Sequence, residues 1–175
     1  MRAGAAWASR WQQADARLSA RMRVAEQPGT RRRLAALLAH SGDSWYLLAA
    51  LALAWVVSGP AWRGFIVQLV AGILGTAAVV FIIKLTVRRR RPEGEWGLFY
   101  RRTDPHSFPS GHAARMAMLA VAGFALGHPW FGLALALWAP LVALSRVAMG
   151  VHYVSDVVGG LLIGLVLGLA LRWLF

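Results

Sequence analysis

Apolar residues dominate five runs of this chain, Ser44 to Gly59, Phe65 to Ile83, Ala113 to Leu126, Trp130 to Leu144 and Tyr153 to Leu171. A hydrocarbon core of ~30 Å needs about 20 apolar residues per helix. The second and fifth runs reach that length, while the first, third and fourth fall short of it. Ser58-Gly59-Pro60 and Gly127-His128-Pro129 are turn signals between runs, so the chain reverses at each. The pattern predicts an all-α fold, an integral membrane helical bundle with about five transmembrane helices. Trp62, Trp130 and Trp173 then fall near one interface, as an aromatic belt does.

Residues 1–42 are patterned differently. Trp7, Trp11, Ala14, Leu18, Met22 and Ala25 recur at intervals of four and three, with Arg10, Gln13 and Arg17 on other faces. This is an amphipathic helix, ended by Pro28-Gly29. Thr30 is placed to cap a second short helix through Leu34, Leu37 and Leu38 to Gly42, and Asp43 or Ser44 to cap the first span. The segment reads as an N-terminal arm on the membrane surface, with residues 43–175 as the transmembrane core. Trp and Leu would insert and arginines would meet anionic headgroups; packing of the stripe against the bundle is the alternative. It lacks the tripartite pattern of a signal peptide.

Composition agrees with a membrane protein: 58% apolar residues, nine Trp and a mean hydropathy of +0.53. The absence of cysteine excludes disulfides and thiolate metal sites. A net charge of +12 suggests nucleic acid at first sight. Arginines beside apolar spans are better matched to lipid headgroups, and no reading helix or stacking sheet is evident, so no nucleic-acid partner is expected.

Candidate chemistry lies in three polar segments. Lys84 is followed at seven residues by Arg91-Pro92; next comes Pro109-Ser110-Gly111-His112; last is Ser145-Arg146 with His152 and Asp156. Lys84, Arg91 and Arg146 supply the fixed positive charge that an attacked phosphoryl group needs. Ser110-Gly111 precedes an apolar run, so the turn and first amides of that helix offer N–H groups to an anion. His112 would protonate a leaving oxygen. His152 and Asp156, four apart, would share one helix face, where the carboxylate fixes the tautomer and leaves the other ring nitrogen as a nucleophile or base.

These three segments resemble the type 2 phosphatidic acid phosphatases, whose pattern is K-x6-R-P, P-S-G-H and S-R-x5-H-x3-D. All parts are present, in order and correctly spaced, from Lys84 to Asp156. The resemblance implies that His152 is the nucleophile that becomes phosphorylated, Asp156 orients it and His112 is the general acid. It implies phosphate binding by Lys84, Arg91, Ser110, Gly111 and Arg146, with no metal and no cofactor. Implied substrates are phosphatidate, phosphatidylglycerophosphate, or polyprenyl phosphates and diphosphates. A vanadate-dependent haloperoxidase shares the anion-binding residues, but short length and five apolar runs argue against it. A non-catalytic lipid-binding or transport protein would need only the cations, not His112, His152 and Asp156.

The predicted turns bring all three segments and the arm to one side of the membrane. That side holds eight arginines in the arm and Arg88 to Arg91, Arg101 and Arg102, against Arg63 and Arg172 on the other. The positive-inside rule puts the site on the cytoplasmic side of a multi-pass cell (inner) membrane protein. Arg88 to Arg90 read as a solvated or headgroup-facing run, and Arg115 and His106 as lesser candidates. Trp96, Phe99 and Tyr100 read as an interfacial lid or anchor. Gly160, Gly164 and Gly168 let a helix approach closely, for packing within the chain or as the seam of a homodimer.

Overall fold

The computed structural model describes residues 2–94, 96 and 104–175, with side chains from residue 10 onward. Phe99, Tyr100, Arg101 and Arg102 lie outside the described residues, as does the side chain of Trp7. Seven helices are described: α1 (Arg2–Arg21), α2 (Thr30–His40), α3 (Ser44–Val57), α4 (Pro60–Val87), α5 (Gly111–Ala125), α6 (Pro129–Ala148) and α7 (Val154–Leu174). The expected alternation holds: α3 to α7 run up and down, with Ser58-Gly59 and residues 126–128 at one end. There the His128 ring stacks on Phe65 at 3.9 Å and lies 4.6 Å from Trp62, joining the two turns.

α4, α6 and α7 are long and apolar enough to cross a membrane, and α3 is a shorter apolar helix. The third predicted span behaves differently. Ten residues of the 15-residue α5 are buried, including Arg115, because α5 runs through the middle of the bundle. A helix surrounded by other helices need not match lipid thickness. Its neighbours reach it through glycines. A Cβ on Gly164 would sit 2.8 Å from Ala117 Cβ, and one on Gly168 would sit 2.7 Å from Val121 Cβ. A Cβ on Gly123 of α5 would lie 2.6 Å from the Gly132 amide nitrogen of α6. The glycine ridge of α7 is thus used within the chain, against α5.

The helix ends show where sequence signals were incomplete. Thr30 is the first helical residue of α2 rather than its cap; the N-cap is Gly29, at φ 146°. That conformation is open to glycine and strained for other residues. α4 begins at Pro60, a residue suited to the first turn, and ends at Arg88 in the left-handed region, whose Nε donates to the Leu85 carbonyl at 2.7 Å.

The arm is held by polar groups. Trp11 and Leu18 are exposed, whereas Ser19 is fully buried. Asp15 Oδ1 accepts from the Ser155 amide at 3.1 Å, and Ser19 Oγ accepts from the Val154 amide at 2.9 Å. These are the first two amides of α7, which have no partner inside their own helix. Trp11 and Leu18 thus stay open on one face of α1, whereas Met22 and Ala25, just beyond its end, pack against the bundle, and Asp15 and Ser19 cap a helix of the core.

Gly164→Leu is expected to destabilise the bundle by about 1–3 kcal/mol or more, because α5 cannot retreat from both α7 and α6. Thermal unfolding in detergent, compared with that of Leu165→Ala on the outer face of α7, measures this.

Candidate active site

Three helices and the connections that follow α4 and α6 converge on one cavity of about 340 Å³, lined by Lys84, Arg91, Gly111, His112, Arg146 and His152 among the predicted residues. Lys84 comes from the last turn of α4, and Arg91 from the turn after it. Gly111 and His112 open α5, Arg146 closes α6, and His152 lies in the turn between α6 and α7. All three segments meet, although from Lys84 to Asp156 they span 73 residues of chain. Two predicted residues stand behind the cavity. Ser110 is fully buried at the N-cap of α5, where its Oγ faces the Ala113 amide at 3.5 Å, and its own amide donates to the Asp156 carbonyl at 2.9 Å. Asp156 has no exposed surface and backs His152.

Charge around the cavity is predominantly positive. Arg146 and Arg91 are 1% and 4% exposed, and Arg115, a lesser candidate from sequence, joins them in the lining. Asp104, which the sequence did not single out for binding, answers this charge. Its Oδ2 accepts from Lys84 Nζ and from Arg91 Nη2, the latter at 2.8 Å, and its carbonyl accepts from Arg91 Nε at 2.7 Å. Burial alone would raise the Asp104 carboxyl, but Lys84 and then Arg91 hold it below the usual range. One carboxylate oxygen shared by two cations occupies the kind of position that a phosphoryl oxygen would take.

The His152–Asp156 pair is formed by a route other than the expected one. His152 precedes α7, so the two do not share a helix face; Asp156 is instead the third residue of the helix, reaching back over its own N-terminus. Its Oδ2 accepts from the Tyr153 amide at 2.8 Å and lies 3.5 Å from His152 Nδ1, which makes no hydrogen bond. On the opposite edge of the ring, Nε2 faces Arg91 Nη1 at 3.2 Å. The ring is 2% exposed. Burial, and then the charges of Arg91, Arg146 and Lys84, push its pKa well below the ordinary 6.5. His152 is thus a neutral imidazole with Nε2 toward the cations and Nδ1 toward a carboxylate.

Arg89 corrects the reading of Arg88 to Arg90 as a solvated run. Its Nη1 donates to Asp156 Oδ1 at 2.7 Å and to Ser155 Oγ at 2.6 Å, and its Nη2 pairs with Asp15 Oδ2 at 2.6 Å. The guanidinium fork thereby ties α1, the α4 terminus and α7 into one unit, and it lies 4.0 Å over the Tyr153 ring. His112 also has an unforeseen partner, Asp43, whose Oδ1 is 2.5 Å from His112 Nε2. A usable signal existed in both cases. The chain has only seven acidic residues against nineteen basic ones, so each carboxylate is a scarce counter-charge.

The PAP2 superfamily model matches residues 65–175, which includes every segment of this cavity from Lys84 to Asp156. The chain belongs to the PAP2 superfamily. It is 37% identical over 125 residues to the decaprenylphosphoryl-5-phosphoribose phosphatase of Mycolicibacterium smegmatis, covering 70% of this chain and 67% of that protein. The protein of the same name from Mycobacterium tuberculosis is 35% identical over 144 residues, covering 75% and 73%. In fold, the chain is similar to the transmembrane PAP2-type phosphatidylglycerolphosphate phosphatase of Bacillus subtilis, with a TM-score of 0.73 at 24% identity over 93% of this chain and 85% of that one. LpxE of Aquifex aeolicus gives 0.69 at 23% identity, over 91% and 94%. The PAP2 protein described here is a membrane lipid phosphatase, an all-helical enzyme of the bilayer.

Arg89→Ala removes the tie between Asp15, Ser155 and Asp156 without touching the cavity lining. The expected result is a fall in kcat on the order of tenfold with KM nearly unchanged, the signature of lost alignment rather than lost substrate binding. Asp15→Asn should shift kcat the same way and less. Steady-state phosphate release by the two variants decides it.

Proposed function

We propose that this PAP2 protein hydrolyses the phosphate ester of an isoprenoid or glycerol lipid through a phosphohistidine on His152, without a metal or cofactor. The observation that carries this reading is the pairing of His152 Nε2 with a cationic cavity while Nδ1 faces Asp156. Asp156 faces Nδ1 and favours the tautomer that carries its proton there, so the Nε2 lone pair attacks phosphorus. Lys84, Arg91 and Arg146 stabilise the charge on the equatorial oxygens, and the first amides of α5 beside Gly111 add neutral donors, with Ser110 setting that helix end. His112 gives a proton to the departing lipid oxygen as the P–O bond breaks. In the second step it takes a proton from water, which attacks the phosphohistidine and releases inorganic phosphate.

The shape of the cavity supports a lipid substrate. One wall is Ala77, Val80, Phe81 and Leu85 of α4, and Phe81 and Leu85 are exposed on the outer face of the bundle. A phosphorylated headgroup can enter beside α4 with its tail left in the bilayer. Among the substrates compatible with this entry, the polyprenyl-linked sugar phosphate named for the mycobacterial relatives has support from identities of 35–37%. Phosphatidate, phosphatidylglycerophosphate and polyprenyl diphosphates complete the panel. We place the cavity on the cytoplasmic face of the inner membrane, because the arm that caps α7 shares its side and carries eight arginines.

Three measurements test this reading. His152→Ala is expected to abolish phosphate release from every lipid of the panel and to leave no acid-labile, base-stable phosphoenzyme; wild-type turnover in that variant would remove His152 as nucleophile. Since burial and neighbouring cations hold His152 neutral, phosphoenzyme formation from an aryl phosphate should stay level as pH falls through 6.5 rather than halve there. For sidedness, a cysteine introduced at Arg10 should resist a membrane-impermeant maleimide in intact cells and react after permeabilisation; the reverse order would put the site on the outer face.

A further inference from the structure

We propose that Asp43 is the positioning residue of the general acid, holding the His112 ring by Nε2 and offsetting the charge of its imidazolium. The inference rests on the reading of His112 as proton donor and His152 as nucleophile. It starts from a helix cap that does not cap. Asp43 occupies the N-cap of α3, at φ −68° and ψ 136°, yet its side chain makes no hydrogen bond to that helix. Both oxygens turn the other way, Oδ1 to His112 Nε2 at 2.5 Å and Oδ2 to His40 Nδ1 at 2.8 Å. A capping aspartate normally satisfies an amide two or three residues on; this one is committed to two imidazoles instead.

The turn that carries it is pressed against the ring. A Cβ on Gly42 would fall 3.3 Å from His112 Cδ2 and 2.9 Å from Val142 Cγ1, and the Gly42 carbonyl accepts from Arg115 Nη2 at 3.2 Å. With Cδ2 and Nε2 against residues 42 and 43, Nδ1 is the opposite edge of a ring that lines the cavity. The charged groups facing His112 are Arg146 from α6, Arg115 from its own helix and Asp43 from the turn before α3, with His40 behind Asp43. Burial, and then the guanidiniums of Arg146 and Arg115, oppose a protonated imidazole, whereas the hydrogen bond to Asp43 favours it. Asp43 is the counter-charge in direct contact. Burial would raise its carboxyl, but hydrogen bonds from His112 and then His40 pull it down to about 2, so it remains a carboxylate wherever the enzyme works.

The proton balance is then complete. His112 Nδ1–H passes its proton to the lipid oxygen as the P–O bond breaks. The ring keeps Nε2–H on Asp43 and has a lone pair at Nδ1, which accepts a proton when water attacks the phosphohistidine. Such a device matters most for an alkoxide, a poor leaving group, and little for nitrophenolate, which departs without a proton.

The full-length protein in detergent therefore offers a discriminating test. For Asp43→Asn, release of the lipid alcohol from phosphatidate in a single turnover is expected to fall about 10²-fold. The burst of nitrophenolate from p-nitrophenyl phosphate should stay within about tenfold of the unaltered rate. Inhibition by inorganic phosphate should be unchanged, and Asp43→Asn combined with His112→Ala should be no slower than His112→Ala alone. Asp43→Ser, small enough for the same turn, should repeat the pattern and serves if the asparagine variant does not fold. Equal losses on both substrates, an additive double variant, or unchanged lipid turnover would overturn the role of Asp43. A nitrophenolate burst that persists in His152→Ala would instead overturn the nucleophile assignment on which the inference rests.

Discussion

Four buried cations around one cavity are the constraint that organises this protein. Lys84, Arg91, Arg115 and Arg146 come from α4, the turn after it, α5 and α6, and each is less than 10% exposed. Like charges removed from water repel strongly and lose hydration, so such a cluster persists only with compensating acceptors. In this chain Asp104 serves Lys84 and Arg91, while the carbonyls of Gly42 and Val151 accept from Arg115 and Arg91. Compensation by one shared carboxylate oxygen is partial by design of charge. A phosphate dianion would bring more negative charge than Asp104, which fits the proposed role of these cations in holding a phosphoryl group and a transition state that spreads charge over three oxygens.

The rest of the fold keeps those cations from separating. α5 is the hub, approached by α7 along Gly160, Gly164 and Gly168 and by α6 at Gly132. Close backbone approach leaves few degrees of freedom at the cavity end, where Ser110 and Asp156 are joined by a main-chain hydrogen bond. The arm completes the arrangement from outside. Asp15 and Ser19 satisfy the first amides of α7, and Arg89 binds Asp15 and Asp156 with the same fork. An arginine suits this task because its two terminal nitrogens serve separate carboxylates in one plane. The N-terminal helix and the His152–Asp156 pair are consequently one mechanical unit, joined through Asp15 and Arg89.

Sequence periodicity disclosed the helices and their direction well, because apolar runs and Gly-Pro or His-Pro turns are local signals. The three motif segments disclosed six of the residues that line the cavity for the same reason: spacing within a segment is local. What periodicity could not disclose was which side chains cross between segments. Asp43 looked like a cap because its position beside an apolar run is that of a cap; only the packing of Gly42 against His112 redirects it. Arg89 looked solvated because it sits in a run of four arginines at a helix end, and Asp15, its partner, lies 74 residues away. The His152–Asp156 pair was legible as a contact but not as a geometry, since a spacing of four is met equally by one helix face and by a turn folded over a helix start.

Helix length then explains why the site is a recess at headgroup depth. Lys84 stands 24 residues beyond Pro60, or ~36 Å along α4 at 1.5 Å per residue, which exceeds the ~30 Å hydrocarbon core. Its ammonium therefore reaches the polar boundary. α3 and α5, with 14 and 15 residues, rise only ~21–23 Å from the same far-side turns. Asp43 and His112, which open those two short helices, are left below the rim that α4 builds. In the proposed reaction a phosphate drawn to Lys84 at the boundary would descend toward Arg91, Arg146 and His152, and the deeper His112 would meet the oxygen on the lipid side of the phosphorus. The difference in length between α4 and its two short neighbours would thus set the order in which a headgroup encounters the cations, the proposed nucleophile and the proposed acid.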